Sequence, residues 1–457
     1  MSSNVANRVL CGSVLKTFIY YLIPSTVGLV AITTASLVDA MFLGNMVGPD
    51  GLTTISLLMP YLTLMVAINL ALAIGGAIRA GKYMGEANQA EASAIFSKSL
   101  ICAVLINLSI AIASLWFEQQ LFSFLKAPSE IHPMLNAYFD VIRWVLVVQL
   151  STMVLYYFVR ADGHPVMATC ALIYGALLNI ILDAWFVFYL NLGVAGAAYS
   201  TAIAQVVQLI ILSYYFFSPS RMLTFSVRQS RWKEMLYVTY NGLSEFVNEI
   251  SVGIMFLLLN WLLIDSLGTN GVAAFSINNY FIFLSIMLYY GVADTLHLLV
   301  SQNLGAQNYD RIRQFFKAAL FSVAIIGLTL SLLFVFSQEF LFKWFVKDEA
   351  TDVIALASHI GLLIWPLFLV NGLNIQISCY LTAIQKPAPS AIIAFTRSLV
   401  FPAFFLGLFF YLAERGLFLT SLNSQWSFLI ALPVAEWSSF VVAIFIYLCV
   451  SSEKFKM

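Results

Sequence analysis

The sequence has little charge, because Asp, Glu, Lys and Arg make up 10% of its 457 residues, against about a quarter in soluble domains. Hydrophobic residues make up 61% of the chain. A membrane-spanning helix needs about 20 apolar residues, so the chain has room for about twelve spans joined by short connections. Connections of that length exclude a soluble catalytic or nucleotide-binding domain. The balance of 22 basic and 22 acidic residues gives no excess of charge for binding nucleic acid.

Recognisable catalytic motifs are also missing. The cysteines show no CxxC spacing, the histidines no HExxH pairing, and the chain contains no GxSxG sequence. Residues 76–83 match a phosphate-binding loop except at the last position, where Tyr83 replaces the Ser or Thr that binds magnesium, and no strand precedes them. The sequence therefore predicts a membrane protein that is not an enzyme and has no bound cofactor.

Apolar stretches bounded by Gly, Pro or charge predict an all-α integral membrane protein with twelve transmembrane helices. Six spans fall in an N-terminal lobe at 1–217, and six in a C-terminal lobe at 234–457, separated by a basic linker at 218–233. The spans are predicted near 17–43, 52–80, 93–116, 135–161, 165–190, 193–217, 234–263, 271–300, 313–338, 351–382, 388–412 and 427–450. Most basic residues fall on the side of the termini, which predicts that both termini are cytoplasmic.

The two halves of the chain are related by an internal repeat. Gly48–Ser56 (GPDGLTTIS) aligns with Gly268–Ser276 (GTNGVAAFS) at an offset of 220 residues, and Gly85 aligns with Gly305 in the same register. Because each half has six spans, both copies cross the membrane in the same orientation. The halves should then be pseudo-symmetric six-helix bundles related by an axis along the membrane normal, with a cavity between them. This is a transporter layout.

Ionisable residues inside predicted spans usually face a bundle interior or a water-filled cavity. Asp39, Asp183 and Thr201 all fall about 7 to 12 Å below the outer membrane surface, at 1.5 Å per residue. Asn179 precedes Asp183 by one helical turn and shares its face. These four side chains could converge on one cation or share protons. The alternative is that each one caps or cross-links helices independently.

A second polar group falls in the middle of the seventh span. Glu245 and Glu249 are one turn apart, and Asn248 is adjacent. These residues form a possible substrate or second cation site, although one polar helix face that merely hydrates the cavity explains them equally well. Glu436 in the twelfth span has no evident partner, while Asp140 and Arg143 at i and i+3 are expected to neutralise each other.

Several of these residues together resemble a known family. The residues are Pro24, the segment Asp39–Gly44 (DAMFLG), Gly85, and Asn179-x3-Asp183 followed by Thr201. In this pattern, and in its length and its six-plus-six repeat, the chain resembles the multidrug and toxic compound extrusion (MATE) family. The resemblance implies a V-shaped pair of bundles and a cation-coupled antiporter that works by alternating access.

The resemblance also assigns roles to individual residues. The DinF-type branch of the family clusters its key polar residues in the N-terminal lobe, and the matching positions are Asp39, Asn179, Asp183 and Thr201. The NorM-type branch uses acids in spans 7 and 10, but span 10 has no acid here, and Asn371 is the nearest polar residue. The DinF-type branch is therefore favoured. These side chains suit either a proton or Na⁺, and Pro24 is expected to be a hinge in span 1.

The predicted function is efflux of amphipathic, often cationic drugs from a monomeric, multi-pass protein of a bacterial-type cytoplasmic (inner) membrane, in exchange for protons or Na⁺. The expected partners are those drugs and the lipid bilayer, with no nucleic acid. The alternative is a flippase for lipids or lipid-linked oligosaccharides of the same superfamily. A pyrophosphate-binding flippase should line its cavity with several basic residues, whereas Arg143 and Arg397 are the basic residues in the middle of predicted spans, away from the span ends.

Overall fold

The structure, a computed structural model, describes residues 8–125, 127–342, 351–415 and 427–454. Parts of the predicted lobes, including residues 343–350 and 416–426, lie outside this range. The regular elements of the described residues are helices, and no strand occurs among them. The α-helices are α1 (Val14–Met46), α2 (Pro49–Gly85), α3 (Gln89–Phe124), α4 (His132–Ala161), α5 (Pro165–Asp183), α6 (Gly193–Ser213), α7 (Glu234–Asn241), α8 (Leu243–Gly305), α9 (Tyr309–Phe342), α10 (Thr351–Ile364), α11 (Leu367–Ala383), α12 (Pro387–Phe395), α13 (Phe401–Glu414) and α14 (Ala431–Lys454).

The number of helices that can cross a membrane agrees with the prediction. Within the described ranges, eleven helices are long and apolar enough to span a bilayer, and the helices Ile354–Ile364 and Leu367–Ala383 add a twelfth span if they are counted as one. These two helices are bent by 53° relative to each other. The predicted tenth span is thus broken next to Pro366, because proline removes a backbone donor and crowds the preceding turn.

The seventh and eighth spans differ from the prediction at their boundaries. The predicted span 234–263 is interrupted at Gly242, where α7 ends and α8 begins. A Cβ atom on Gly242 would lie 2.1 Å from the carbonyl oxygen of Ala71, so the absence of a side chain permits close backbone packing against α2. Helix α8 has 63 residues, and it contains the two spans Leu243–Leu263 and Ala274–Gly305.

Sequence signals explain where many helices begin. Proline lies in the first turn of α2, α4, α5, α12 and α13, where its missing N–H leaves no helical hydrogen bond unmade. The side chain of Asn88 caps α3 by accepting a hydrogen bond from the N–H of Glu91 at 3.2 Å. These local signals fix the helix ends, while the apolar length of each helix makes it a membrane span.

The chain forms two compact units. The first comprises Met1–Phe246 and His297–Ile312, and the second comprises Val247–Leu296 and Arg313–Met457. The first unit has two apolar clusters, one that includes Phe96 and Phe158 and one that includes Leu135 and Phe139. The second unit has a cluster that includes Phe334 and Phe368. Polar side chains buried inside either unit therefore lie among apolar side chains and need hydrogen-bond or charge partners.

The predicted linker 218–233 packs on α3 in the first unit. The hydroxyl of Ser97 accepts a hydrogen bond from the backbone N–H of Ser226 at 2.8 Å. The ammonium group of Lys98, which is fully buried, donates to the carbonyl oxygens of Gln229 at 3.0 Å and Ser230 at 2.5 Å. A basic residue that the sequence places at a helix end thus binds two backbone carbonyls and holds the linker against the first unit.

Asp162, just after α4, anchors the start of this linker. Its Oδ2 accepts hydrogen bonds from the Tyr215 hydroxyl at 2.6 Å and from the backbone N–H of Met222 at 2.7 Å. Asp162 is fully buried, and burial raises its pKa to about 6 in spite of these hydrogen bonds. Nearby, the ring of His164 hydrogen-bonds to the hydroxyl of Ser220 at 2.9 Å, and burial lowers the pKa of His164.

We expect Asp162 to make the stability of the fold depend on pH. Between pH 4 and 6 the folded protein holds a proton on Asp162 that the unfolded chain releases, so stability falls as pH rises through this window. The fall should be about 3 kcal/mol, for a pKa raised from 3.8 to about 6. Thermal unfolding of the purified protein from pH 4 to 8 measures it. Asp162→Asn should remove this part of the slope, whereas the exposed control Asp50→Asn should keep it. Equal slopes in wild type and Asp162→Asn would contradict the assignment.

Candidate functional site

Asp39, Asn179, Asp183 and Thr201, together with Ser200, form a polar cluster that we call the N-terminal site. Asp39 lies near the C-terminal end of α1, Asp183 is the last residue of α5, and Thr201 lies in the third turn of α6. Helices α5 and α6 pack against each other and against α1. The fold therefore brings together the four residues that the sequence proposed as a cation-coupling site.

Hydrogen bonds connect most of these side chains. The amide of Asn179 donates to the hydroxyls of Ser200 at 3.3 Å and Thr201 at 3.5 Å. Ser200 in turn donates to Oδ1 of Asp183. Both hydroxyls are also within hydrogen-bond distance of the carbonyl oxygen of Ala197, at 2.8 and 2.9 Å. The hydroxyl of Ser200 therefore orients the carboxyl group of Asp183 and links α5 to α6.

Two carboxylate oxygens in the site are left without a protein partner. Oδ1 of Asp39 and Oδ2 of Asp183 are buried and accept no hydrogen bond from any described group. Asp183 is fully buried, and its charge acts repulsively on Asp39. A buried carboxylate and a partly buried one beside it cannot both remain charged at low cost unless a proton or a metal cation neutralises them. The oxygen atoms of the site are the ligand type that hard cations prefer.

Sequence reasoning missed two residues of this site. Ser200 is fully buried and donates the hydrogen bond to Asp183, but the sequence analysis selected its neighbour Thr201. Tyr138 on α4 is buried and interacts electrostatically with Asp39 and Asp183. The depth of Thr201 predicted which turn of α6 faces the site. Depth alone does not show which side chain of that turn points toward Asp183. No local signal could reveal Tyr138, because its proximity depends on how α4 packs.

The region just after Asp183 departs from regular α-helix. Ala184–Tyr189 form a π-helical turn that continues α5. A π-turn inserts an extra residue into the helix, and such turns occur frequently at functional sites. The irregularity places the buried Asp183 at the junction of two helical geometries, where the direction of the following side chains is shifted relative to a continuous α-helix.

Pro24 lies inside α1, at the opposite end of the helix from Asp39. The next residue, Ser25, donates a hydrogen bond to the carbonyl oxygen of Tyr21 at 2.6 Å and accepts one from the guanidinium of Arg160 at 2.6 Å. A buried arginine of α4 therefore contacts α1 beside the proline. Pro24 removes a helical hydrogen bond at this point, and its role as a hinge stays a prediction.

The polar residues proposed in span 7 lie along α8. Glu245 is buried, and Glu249 is partly exposed. Asn248 is buried and makes well-defined contacts within the second unit. Its Oδ1 accepts hydrogen bonds from the Arg397 guanidinium at 2.6 Å and the Ser398 hydroxyl at 2.8 Å. These hydrogen bonds link Asn248 to the fifth span of the second half.

The sequence left Glu436 without a partner, and the structure corrects this. Oε1 of Glu436 accepts a hydrogen bond from the Asn371 amide at 2.7 Å, and Oε2 accepts one from the Asn374 amide at 2.9 Å. Nη1 of Arg397 lies 3.7 Å from Oε1. The partners come from α11 and from the π-helical turn Thr396–Val400, so they are distant in sequence. We call Asn248, Tyr290, Asn371, Asn374, Arg397 and Glu436 the C-terminal network.

The prediction that Arg143 is neutralised within its own bundle agrees with the contacts. The guanidinium of Arg143, on α4, lies 2.5 Å from a carboxylate oxygen of Asp140 and also pairs with Glu118 on α3. Arg143 is fully buried. Its charge is thus compensated by two acids and is not presented singly to a cavity.

The fold and these sites define a multi-pass membrane transporter built from two repeated halves, rather than an enzyme. Comparison with known proteins gives the family. The MatE family model matches residues 24–185 and 246–405, so the chain belongs to the MATE family of transporters. The two matched segments correspond to the two halves of the internal repeat.

Individual relatives are distant but cover nearly the whole chain. The multidrug export protein MepA of Staphylococcus haemolyticus is 22% identical, over 86% of this chain and 87% of its own. MepA of Staphylococcus saprophyticus is also 22% identical, over 94% of this chain and 93% of its own. A MATE crystallised in complex with MaL6 has a TM-score of 0.90 at 22% identity, covering 98% of this chain and 99% of its own. The solved structure supports the fold.

Proposed function

We propose that this protein is a cation-coupled multidrug efflux antiporter that exports amphipathic, often cationic compounds by alternating access. The coupling ion is H⁺ or Na⁺, and its binding site is the N-terminal site. This assignment follows the pattern of the DinF-type branch. The relatives named as multidrug export proteins support drugs as the substrate class.

One observation carries the proposal, namely that the neighbouring carboxylates of Asp39 and Asp183 each have a buried oxygen without a partner among the described groups. A proton or Na⁺ that binds there neutralises charge in a region of low dielectric and so changes which conformation is stable. If drug and cation favour opposite conformations, each must lower the affinity for the other. Each charge that crosses a potential of 100 mV contributes about 2.3 kcal/mol to drug export.

We further propose that the protein is a monomer of a bacterial-type cytoplasmic membrane with both termini in the cytoplasm. The distribution of basic residues supports this orientation. It would place the N-terminal site toward the outside of the cell, where the driving cation enters. The drug would bind from the cytoplasm and leave when the cation stabilises the other conformation.

The flippase alternative is less well supported. A flippase that binds pyrophosphate needs uncompensated basic groups, and both Arg143 and Arg397 have acidic partners within their own unit. Guanidinium groups already engaged by carboxylates bind a second anion at a higher cost. These contacts favour export of neutral or cationic compounds over anionic lipid carriers.

Transport by the purified protein in proteoliposomes tests the proposal. A fluorescent cationic dye should be moved against its gradient when an opposing proton or Na⁺ gradient is imposed, and the two gradients are applied separately to identify the ion. The Asp39→Asn, Asp183→Asn double variant should lose this response, while Asp50→Asn keeps it. Dye movement that ignores both gradients would refute coupling, and movement of lipid analogues alone would favour the flippase.

A further inference from the structure

Each half of the chain builds a polar centre from equivalent spans. The N-terminal site takes residues from the first, fifth and sixth spans of its half, and the C-terminal network takes Asn248, Arg397 and Glu436 from the corresponding spans of the second half. The charges differ, however. The fifth span contributes the acid Asp183 in the first half, whereas the fifth span of the second half contributes Arg397.

The neighbours of Glu436 are two amide donors and one guanidinium, all of which stabilise a charged carboxylate. The side chain of Glu436 is largely buried, and both of its oxygens accept hydrogen bonds from side-chain amides. Among the described residues of the helices that pack on α14, the charged group that acts on Glu436 is Arg397, and Tyr289 of α8 also interacts with it electrostatically. The distance of 3.7 Å between Arg397 and Glu436 is long for a hydrogen bond, so their interaction is mainly charge compensation.

The position of Arg397 is held by contacts other than Glu436. Its Nη2 donates to Oδ1 of Asn248 at 2.6 Å, and Asn248 donates to the hydroxyl of Tyr290 at 2.5 Å. Meanwhile Oδ1 of Asn371 and Oδ1 of Asn374 are buried and without partners among the described groups. A half-turn of either amide would present an oxygen to the space beside Glu436. The network therefore contains two amide oxygens that accept no hydrogen bond from any described donor.

We propose that Arg397 is the resident cation of the C-terminal network, so that it neutralises Glu436 where an exchangeable cation would otherwise bind. The guanidinium cannot leave, and the C-terminal network consequently binds no coupling ion in the wild-type protein. Removal of Arg397 should leave a largely buried carboxylate with amide oxygens around it, which is a binding site for Na⁺ or a proton. This inference does not depend on cation binding at the N-terminal site.

The test uses the full-length protein with Asp39→Asn and Asp183→Asn as background, so that the N-terminal site contributes no cation response. Thermal unfolding is compared in NaCl and in choline chloride at equal ionic strength, and then between pH 5 and 8. In the background protein the midpoint should not depend on Na⁺, and any pH dependence provides the baseline. Addition of Arg397→Gln should make the midpoint rise by about 3 °C or more with Na⁺ or with acid.

Two further variants keep the test decisive. Arg397→Lys retains a fixed cation and should behave as the background protein does. Arg397→Gln combined with Glu436→Gln removes both charges and should also lose the response to Na⁺ and to acid. If Arg397→Gln does not fold, restoration of folding by Glu436→Gln supports the proposal, and no restoration contradicts it. The proposal is also wrong if Arg397→Gln folds without a new cation response, or if that response persists when Glu436 is absent.

Discussion

Asp39→Asn is expected to abolish uphill drug transport while the protein still folds and reaches the membrane. Asparagine has nearly the same volume as aspartate, so the packing of α1 should change little, but it cannot release a proton or present a negative charge to Na⁺. Losing one coupled charge lowers the drug gradient attainable at 100 mV by about 50-fold. The measurement is resistance of a drug-sensitive host, together with gradient-driven dye transport in proteoliposomes.

Two comparisons separate this effect from damage to the fold. Asp50→Asn changes an exposed aspartate in the first turn of α2 and should leave transport intact. Ser200→Ala removes the hydrogen bond to Asp183 without removing a charge, so it should shift the pH at which transport is half-maximal rather than abolish it. Normal resistance in the Asp39→Asn variant, at normal expression, would rule out the N-terminal site as the coupling site.

The membrane spans and the acids of the N-terminal site could be predicted from the sequence, because each produces a local sequence pattern. A span is an uninterrupted apolar stretch, and Asn179 and Asp183 share a helix face through their spacing. The depth of a residue follows from its distance to the helix end, and equal depths allow Asp39 and Asp183 to lie close together. These arguments need only the rise per residue of a helix.

Contacts between residues on different helices could not be predicted from the sequence in this way. Glu436 has an isolated position in the sequence, and its contacts with Asn371, Asn374 and Arg397 depend on the packing of α11 and α14 and on a π-helical turn. Likewise, nothing local indicates that Gly242 divides the seventh span. Its close approach to α2 is a property of the packed backbone.

The internal repeat aligns two glycines, and the structure shows a contact between their helices that the alignment did not predict. Gly85 and Gly305 occupy equivalent positions in the two halves, and in the first unit they meet each other's helices. A Cβ atom on Gly85 would lie 1.9 Å from the carbonyl oxygen of Gln302, and one on Gly305 would lie 1.9 Å from that of Lys82. The ends of α2 and α8 therefore pack backbone against backbone through a symmetric pair of glycines.

Gly85→Ala and Gly305→Ala are each expected to destabilise this contact by about 1–3 kcal/mol, as over-packing does in well-packed interiors. The clash is with a backbone carbonyl, so it cannot be relieved by a change of rotamer. A lower thermal midpoint for both variants is the expected measurement. Gly407→Ala is the matched control, since a Cβ there meets nothing within 4 Å, and in a helix it should be neutral or stabilising by up to about 1 kcal/mol.

The same substitutions separate a static contact from one that opens during transport. If the ends of α2 and α8 separate in the other conformation, the added methyl groups penalise only the packed state and shift the population toward the open one. A disulfide between cysteines placed at Lys82 and Gln302 should then form more slowly in Gly85→Ala than in Gly407→Ala. Equal cross-linking rates, with an unchanged thermal midpoint, would show that the backbone approach contributes nothing to either state.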